Sequence, residues 1–269
     1  MSDADIHAGT GTGTGGSRAP TLRGATRSRA DGLILLAALL CLWQVCAMLL
    51  GARVLPGPWP TLVKLVAIVR DDDFPKDLRA TCTAFAFGFA IAAVGGVAMG
   101  LVLGARRLAG DVMEPLLMAL YAIPKIALYP VVLLIFGLGL DAKVAFGVIH
   151  GIVPITVFTM GAVRGMRPVY GRCARACRLT PLAYARYVLL PAAAPEVVAG
   201  LRIGFSLTLL GTLIGEMFAS QSGIGHLLIS AMTRNDALMI AALACLLFAF
   251  ATAANLLLLR WHRKLGGVN

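Results

Sequence analysis

The feature that most constrains the fold of this chain is a series of long apolar runs that contain almost no charge. Residues 33–50 carry no charged side chain, and a helix of this length crosses roughly 30 Å of hydrocarbon. Backbone polar groups inside lipid must be satisfied within the segment, which favours helices. The sequence therefore predicts an all-α polytopic membrane protein with about six transmembrane helices, at about 33–50, 80–104, 115–137, 144–163, 201–219 and 237–259.

Composition agrees with a membrane protein and argues against a nucleic-acid-binding one. Of the 269 residues, 59% are apolar and 14% charged, which is unlike a soluble domain. The formal net charge is +11, but the Arg and Lys residues stand mostly at the ends of apolar runs. Charge in those places sets membrane topology, so we expect a lipid bilayer and no nucleic acid as partner.

The charge distribution also predicts an orientation and a domain division. Residues 1–30 are rich in Gly, Thr and Arg, and we expect a disordered cytoplasmic tail there. Residues 31–264 form the predicted transmembrane domain. Most Arg and Lys residues fall in the loops that an inward amino terminus places inside, so both termini are expected in the cytoplasm.

The candidates for a translocation path are two charged residues inside predicted spans, Lys125 and Glu216, together with Pro124. Lys125 follows Pro124 in the third span, so the backbone must be broken there and the charge must face protein or water. The alternative is that Lys125 snorkels or sits in a re-entrant elbow. Glu216 lies near the far end of the fifth span. His150, in the fourth span, is interpreted as a hydrogen-bonded packing residue because no second ligand stands beside it.

A basic segment at 164–198 separates two uncharged runs and is predicted to be a cytoplasmic loop. A short helix around 168–177, ended by Thr180 and Pro181, would present Arg172, Arg175 and Arg178 in a row at steps of three. Such a row suits an acidic or hydrogen-bond-accepting groove. The same arginines could instead only set topology or bind anionic headgroups.

Three segments, in order and spacing, resemble the permease subunit of a bacterial ABC importer of the nitrate/sulfonate/taurine class, and the likeness covers roughly residues 33–260. The segments are EPLLMALYAIPKIALYPVVLLIFGLGLDAK at 114–143, VYGRCARACRLTPLAYARYVLLPAAAP at 169–195, and AGLRIGFSLTLLGTLIGEMFASQSGIGHLL at 199–228. The resemblance implies the type I ABC importer permease fold.

The family's cytoplasmic loop begins Glu-Ala-Ala, has a Gly four residues after the last Ala, and ends Ile-x-Leu-Pro. Anchored on Val188, Leu190 and Pro191, this loop places Arg172, Cys173 and Ala174 at Glu-Ala-Ala and Arg178 at the Gly, so only Ala174 is retained. In the family the loop forms a coupling helix that docks on the ATPase subunit. The coupling-loop candidates are Pro168, Arg172, Cys173, Ala174, Arg175, Arg178, Thr180, Pro181, Leu190 and Pro191.

The resemblance also implies partners and a location. It predicts cytoplasmic ABC ATPase subunits, a second permease copy in a homodimer or heterodimer, and a periplasmic substrate-binding protein, all at the bacterial inner membrane. ATP hydrolysis would occur in the separate ATPase, so the chain itself is expected to have no catalytic residue, cofactor or metal. Relatives of this class suggest a small oxyanion or organosulfonate as solute, with a thiamine-precursor-like organic as the alternative.

Two other classes of membrane protein are weaker interpretations. A secondary transporter would need intramembrane acids or matched broken helices to couple an ion gradient, and Glu216 is the only acid deep in a predicted span. A membrane-embedded enzyme would need clustered catalytic groups, but His150 and His226 are far apart in the sequence with no acid at helical spacing.

Overall fold

A computed structural model describes the backbone of residues 23–266, and the side chains of residues 31–256 except those at 33, 181, 182 and 219. The described residues form helices joined by short turns, without a β-strand. Residues 1–22 of the predicted disordered tail lie outside the described residues. Residues 23–30 of that tail are helical, because α1 begins at Arg23. The helices are α1 (Arg23–Leu50), α2 (Pro58–Val69), α3 (Phe74–Ala105), α4 (Arg107–Ala122), α5 (Tyr129–Phe136), α6 (Leu140–Arg164), α7 (Pro168–Ala176), α8 (Pro181–Tyr184), α9 (Leu190–Ala219), α10 (Ile224–Thr233) and α11 (Ala237–Gly266).

Four of the described helical segments are long and apolar enough to cross a membrane, and a bent pair makes a fifth. The pair is α4 with the 125–136 segment, which meet at an angle of 88°. Pro124 causes the break, because proline disfavours helical geometry in the residue before it and cannot donate a backbone hydrogen bond. The apolar part of α1, Ile34–Leu50, is shorter and corresponds to the first predicted span.

Close packing of small residues holds the centre of the bundle together. α6 lies between α3 and α9 and contacts both of them extensively. Gly96, Gly100 and Gly104 recur every four residues along α3, and each one abuts α6. Small residues at this spacing let two helix backbones approach closely in lipid, where dispersion contacts replace the hydrophobic effect.

Gly100 gives a direct test of this contact. A Cβ atom there would lie 2.5 Å from the Thr159 Cβ and 2.7 Å from the Thr156 carbonyl oxygen. We expect Gly100→Ala to lower the stability of the purified protein by about 1–3 kcal/mol, the usual cost of overpacking. Gly161→Ala is the matched control, because a Cβ at Gly161 meets no atom within 4 Å. Equal thermal unfolding midpoints for the two variants would contradict the packing argument.

The helix that contains the predicted fifth span, 201–219, begins well before residue 201. α8, a π-helical turn at Ala185–Leu189 and α9 follow one another without a break. The Leu190 N–H donates to the Ala185 carbonyl, a wide i→i−5 bond. Pro191 has no N–H for the ladder, and a π turn accommodates such an interruption. The last part of the predicted 164–198 loop is therefore helical and continuous with the helix that contains the predicted fifth span.

A smaller apolar core closes the opposite end of the bundle. Ile68 of α2, Ile224 of α10 and Leu243 of α11 are buried together there. α6 separates this end from α7 by about 36 Å, the length of a helix of its 25 residues. The two ends therefore present different surfaces, α7 at one and the 220–225 turn at the other.

Candidate functional site

The predicted coupling loop contains a short helix with one buried face. α7 begins after Arg167, with Pro168 in its first turn, where the missing N–H of proline costs nothing. Ala174 is its only buried residue, whereas Arg172 and Arg175 are exposed. Because these two arginines are three residues apart on a helix, they stand side by side. α7 therefore presents two guanidinium groups to solvent, and Cys173 between them is also exposed.

Arg178 lies beyond the helix, which corrects the predicted row of three arginines. The Leu179 N–H donates to Ala174 O at 3.0 Å and the Arg178 N–H donates to Arg175 O at 3.0 Å, the bonding pattern of a Schellman cap. Arg178 occupies the left-handed position of that cap, with φ of 49°. The row is limited to Arg172 and Arg175, because the chain reverses its twist at Arg178.

The left-handed conformation at Arg178 has a measurable consequence. The family pattern has Gly at this position, and glycine adopts positive φ without the steric cost that a side chain brings. We expect Arg178→Gly to raise the stability of the loop by about 1 kcal/mol, seen as slower hydrogen exchange at the Leu179 amide. Arg186→Gly, within the helical segment, should have the opposite effect on its neighbours. Faster exchange at Leu179 in Arg178→Gly would refute this account.

The remaining loop candidates mark the start of the next helix. The Thr180 hydroxyl accepts a hydrogen bond from the Ala183 N–H at 3.3 Å, as an N-cap does. Pro181 is the first residue of α8, and Leu190 and Pro191 open α9 after the π turn. Thr180 and Pro181 thus end one helical unit and begin another.

An ion-pair cluster joins the end of α6 to α4, and the sequence analysis missed it. Arg164, the last residue of α6, lies 2.7 Å from Glu114 and 2.9 Å from Asp111, both on α4. Its guanidinium also donates to the Arg107 carbonyl at 3.3 Å. The i, i+3 spacing of Asp111 and Glu114 was a readable signal for a cation partner. Arg164 is consequently engaged within the fold, unlike Arg172 and Arg175.

The structure gives local partners to the two titratable residues predicted in the third and fourth spans. Lys125 Nζ donates to Tyr121 O at 3.1 Å and lies 5.1 Å from the centroid of the Tyr121 ring. In an uninterrupted helix the Tyr121 carbonyl would accept a hydrogen bond from the Lys125 backbone N–H. The Lys125 side chain donates that bond instead, and so caps the end of α4. His150 Nδ1 forms a buried hydrogen bond of 2.8 Å with Phe146 O.

Glu216 is fully buried at the end of α9 that is remote from α7. Its Oε2 accepts hydrogen bonds from the Thr81 hydroxyl at 2.8 Å and from the Gly225 N–H at 3.0 Å. Lys143 Nζ lies 3.8 Å from Oε1 of the same carboxylate. One buried acid thus joins α3, α6, α9 and the start of α10.

These contacts satisfy the first backbone amides of α10. The Gly223 N–H donates to Asp77 at 2.7 Å, and the Ile224 N–H donates to the Thr81 hydroxyl at 2.8 Å. The Gly225 N–H donates to the Glu216 carboxylate, so three successive N–H groups at the start of α10 have side-chain acceptors. We call Asp77, Thr81, Lys143 and Glu216 with their amide partners the outer clamp. Gly223, at φ of 114°, marks the turn that the clamp requires.

Comparison with known proteins identifies the family. Residues 92–266 match the model of the binding-protein-dependent transport system inner membrane component. A bicarbonate transport system permease protein of Synechococcus elongatus is 30% identical over 78% of this chain and 81% of its own length. A putative aliphatic sulfonates transport permease protein of Bacillus subtilis is 26% identical over 74% of this chain and 73% of its own length. A formylaminopyrimidine transport permease protein of Halalkalibacterium halodurans is 27% identical over 84% of this chain and 93% of its own length. The chain belongs to this family, as a multi-pass inner-membrane permease of the ABC class that its sequence resembles.

Proposed function

We propose that the chain is the membrane subunit of an ATP-driven importer that carries a small oxyanion or organosulfonate. The observation that carries the proposal is α7, a short helix outside the bundle with Arg172 and Arg175 exposed side by side. Paired guanidinium groups suit carboxylates or carbonyl oxygens in a partner's groove. α7 would transmit a partner's movement to α6 and α9, which flank it.

ATP hydrolysis belongs, in this proposal, to separate cytoplasmic ATPase subunits. ATP binding would close two ATPase subunits and draw the α7 helices of two permease copies together. The permease pair would then change from inward-facing to outward-facing, where a periplasmic substrate-binding protein delivers the solute. The ion pairs of Arg164 support this route, because they couple the end of α6 to α4 next to α7.

The proposed orientation rests on the distribution of charge. Arg106, Arg107 and Arg164 lie at the same end of the bundle as α7, and the positive-inside rule assigns this end to the cytoplasm. Both chain termini are then cytoplasmic, and the outer clamp lies on the periplasmic side. Lys125 remains a candidate for the path only if opening of the pair frees it from Tyr121.

The solute class is supported by the relatives rather than by a bound ligand. Relatives named for sulfonate, nitrate, taurine and bicarbonate transport share an oxyanion in their solutes. The formylaminopyrimidine permease favours a second candidate, a thiamine-precursor-like small organic, because it matches 93% of its own length.

The test begins with purification of the tagged chain from its own membrane in mild detergent. Mass spectrometry should find an ATPase subunit in amounts comparable to the permease, and a second permease in the sample would indicate a heterodimer. The purified complex, with its binding protein, should then import nitrate, taurine, ethanesulfonate or bicarbonate into ATP-loaded proteoliposomes, and formylaminopyrimidine is offered in a parallel assay.

The uptake and co-purification results distinguish the two candidate solutes and test the coupling role of α7. Uptake of an oxyanion that depends on ATP supports the leading proposal, and uptake of formylaminopyrimidine alone supports the second candidate. Absence of an ATPase even after gentle crosslinking would overturn the coupling role of α7.

A further inference from the structure

An open groove lies next to the outer clamp and has a distinctive chemical lining. Its volume is about 860 Å³, and it is bounded by the first turns of α3 and α6 and by the turn that follows α9. We call it the outer groove. Its polar lining consists of three cations, two hydroxyl-bearing serines, a threonine and an amide: Lys76, Arg79, Lys143, Ser220, Ser222, Thr83 and Gln221.

The charged side chains that line the outer groove are all cationic. No Asp or Glu is among the described residues that line it. Two nearby acids are engaged elsewhere: Asp73 is 2.7 Å from Lys76, and Asp77 accepts from the Gly223 N–H. Asp141, at the start of α6, is exposed and forms no ion pair within the described residues. The hydrogen bond and charge of Lys76 lower the pKa of the Asp73 carboxyl. Lys76 is paired with Asp73, and Lys143 lies 3.8 Å from Glu216, so Arg79 is the lining cation that forms no ion pair within the described residues.

Arg79 is the free cation of the outer groove. Its side chain is exposed, and it forms no ion pair with the described part of the chain. Thr83 lies one helical turn further along α3, on the same face, and also lines the groove. A guanidinium offers five N–H donors in a planar fork that matches the oxygens of an oxyanion.

Lys143 adds a second, preorganised cation. It is 4% exposed, and its Nζ donates to Ser222 O at 3.0 Å. The Glu216 carboxylate lies 3.8 Å away, beyond hydrogen-bond distance. An ammonium has three donors, and Ser222 takes one of them, so Lys143 keeps donor capacity beside the groove that it lines. The clamp holds this charge in place at no further conformational cost to a ligand.

We propose that the outer groove binds the oxyanion group of a small solute through Arg79 and Lys143. Phe218, Leu138 and Leu140 line the same groove and would accommodate a short apolar tail, as in an alkanesulfonate. The proposal rests on the proposed transport function and assigns its anion to a place in this chain. Neither Lys125 nor the Glu216 carboxylate would then determine the sign of the solute's charge.

The test compares how fast an anionic and a cationic thiol reagent label a reporter cysteine in the groove. Thr83→Cys is introduced into the full-length chain in membranes opened by mild detergent, so that both faces are accessible. The anionic reagent is 2-sulfonatoethyl methanethiosulfonate, and the cationic one is 2-(trimethylammonio)ethyl methanethiosulfonate. Cys82, the neighbouring exposed thiol, is replaced by Ala in every variant, because it would react with the reagents and could displace the label from residue 83 by disulfide exchange. Peptide mass spectrometry then measures labelling at residue 83, and the other five natural cysteines stay in place.

We expect the sulfonate reagent to react faster than the cationic one in Thr83→Cys. Adding Arg79→Gln should lower the ratio of the two rates about tenfold, since one unit charge about 6 Å away changes each rate roughly threefold in opposite directions. Arg70→Gln is the control, because Arg70 is an exposed cation at the end of α2 that does not line the groove. A ratio that Arg79→Gln leaves unchanged, or no labelling by either reagent, would overturn the proposal.

A second measurement identifies the source of the anion. Ethanesulfonate or nitrate should slow labelling at residue 83 in proteoliposomes of phosphatidylcholine alone, and Arg79→Gln should remove this protection. If phosphatidylglycerol in the membrane slows labelling while neither free anion does, the groove binds lipid headgroups and the solute assignment fails.

The labelling requires no ATPase, so its failure is separable from that of the proposed function. Oxyanion uptake with a ratio insensitive to Arg79 would refute only the site. The expected ratio and protection without uptake of any oxyanion would refute only the transport proposal. Lys143 is left unchanged in these variants, because its loss would also disturb the outer clamp.

Discussion

Replacing Arg172 and Arg175 together by Glu is expected to abolish ATP-driven uptake while the chain still inserts and purifies normally. Both side chains are exposed on α7 and have no ion pair within the described residues, so the fold loses little. A groove that accepts two guanidinium groups would instead face two carboxylates, and like charges across an interface cost several kcal/mol. Uptake in proteoliposomes should fall by more than about tenfold, and ATP hydrolysis should no longer respond to the loaded binding protein.

Two controls separate docking from general charge effects. Arg172→Lys with Arg175→Lys keeps the charge but loses the planar fork, so partial uptake is expected. Arg186→Glu reverses an exposed charge in the π-helical turn outside α7 and should leave uptake nearly unchanged. If the double Glu variant transports as well as the unmodified protein, the two arginines only set topology or bind headgroups.

The membrane class and the family could be inferred from the sequence, because hydropathy and segment order are properties of contiguous residues. The angle between α4 and the 125–136 segment could not, although Pro124 indicated that the backbone would break there. A proline shows where a hydrogen-bond ladder is interrupted. The direction of the chain after it depends on packing by distant helices.

The candidate site was predictable to a smaller extent. Spacing alone placed Arg172, Arg175 and Arg178 in one row, but the Schellman cap removes Arg178 from it. The family's Gly at that position was the available signal, since glycine there is typical of a left-handed helix end. The backbone keeps the conformation that the Gly would favour, so the substitution changes the side chain while the turn is retained.

Glu216 shows a different limit of sequence reasoning. A lone acid deep in a span is by default a functional residue in a pathway. Its partners Thr81 and Lys143 are far from it in the sequence and meet it only through the packing of α3 and α6 against α9. Gly223 and Gly225 shortly after Glu216 were the one local signal that a tight turn returns to this carboxylate.

Glu216→Ala is therefore expected to destabilise the protein strongly, by about 3–5 kcal/mol, the usual cost of removing one partner of a buried ion pair. Lys143 would keep its charge at 4% exposure with only the Ser222 carbonyl as partner. The Thr81 hydroxyl and the Gly225 N–H would also lose their acceptor. Thermal unfolding of the purified protein should occur about 10 °C lower, with a corresponding loss of folded yield.

Glu196→Ala provides the matched control, since Glu196 is the same residue type in the same helix and is exposed. Its removal should change the unfolding midpoint by no more than about 1–2 °C. Glu216→Gln keeps an oxygen acceptor for Thr81 and Gly225 and should retain part of the stability that Glu216→Ala loses. A path residue would behave differently, because its replacement by Ala would alter solute selectivity and leave the unfolding midpoint near that of Glu196→Ala. The unfolding midpoint thus distinguishes a clamp that fixes α10 from a charge that meets the solute.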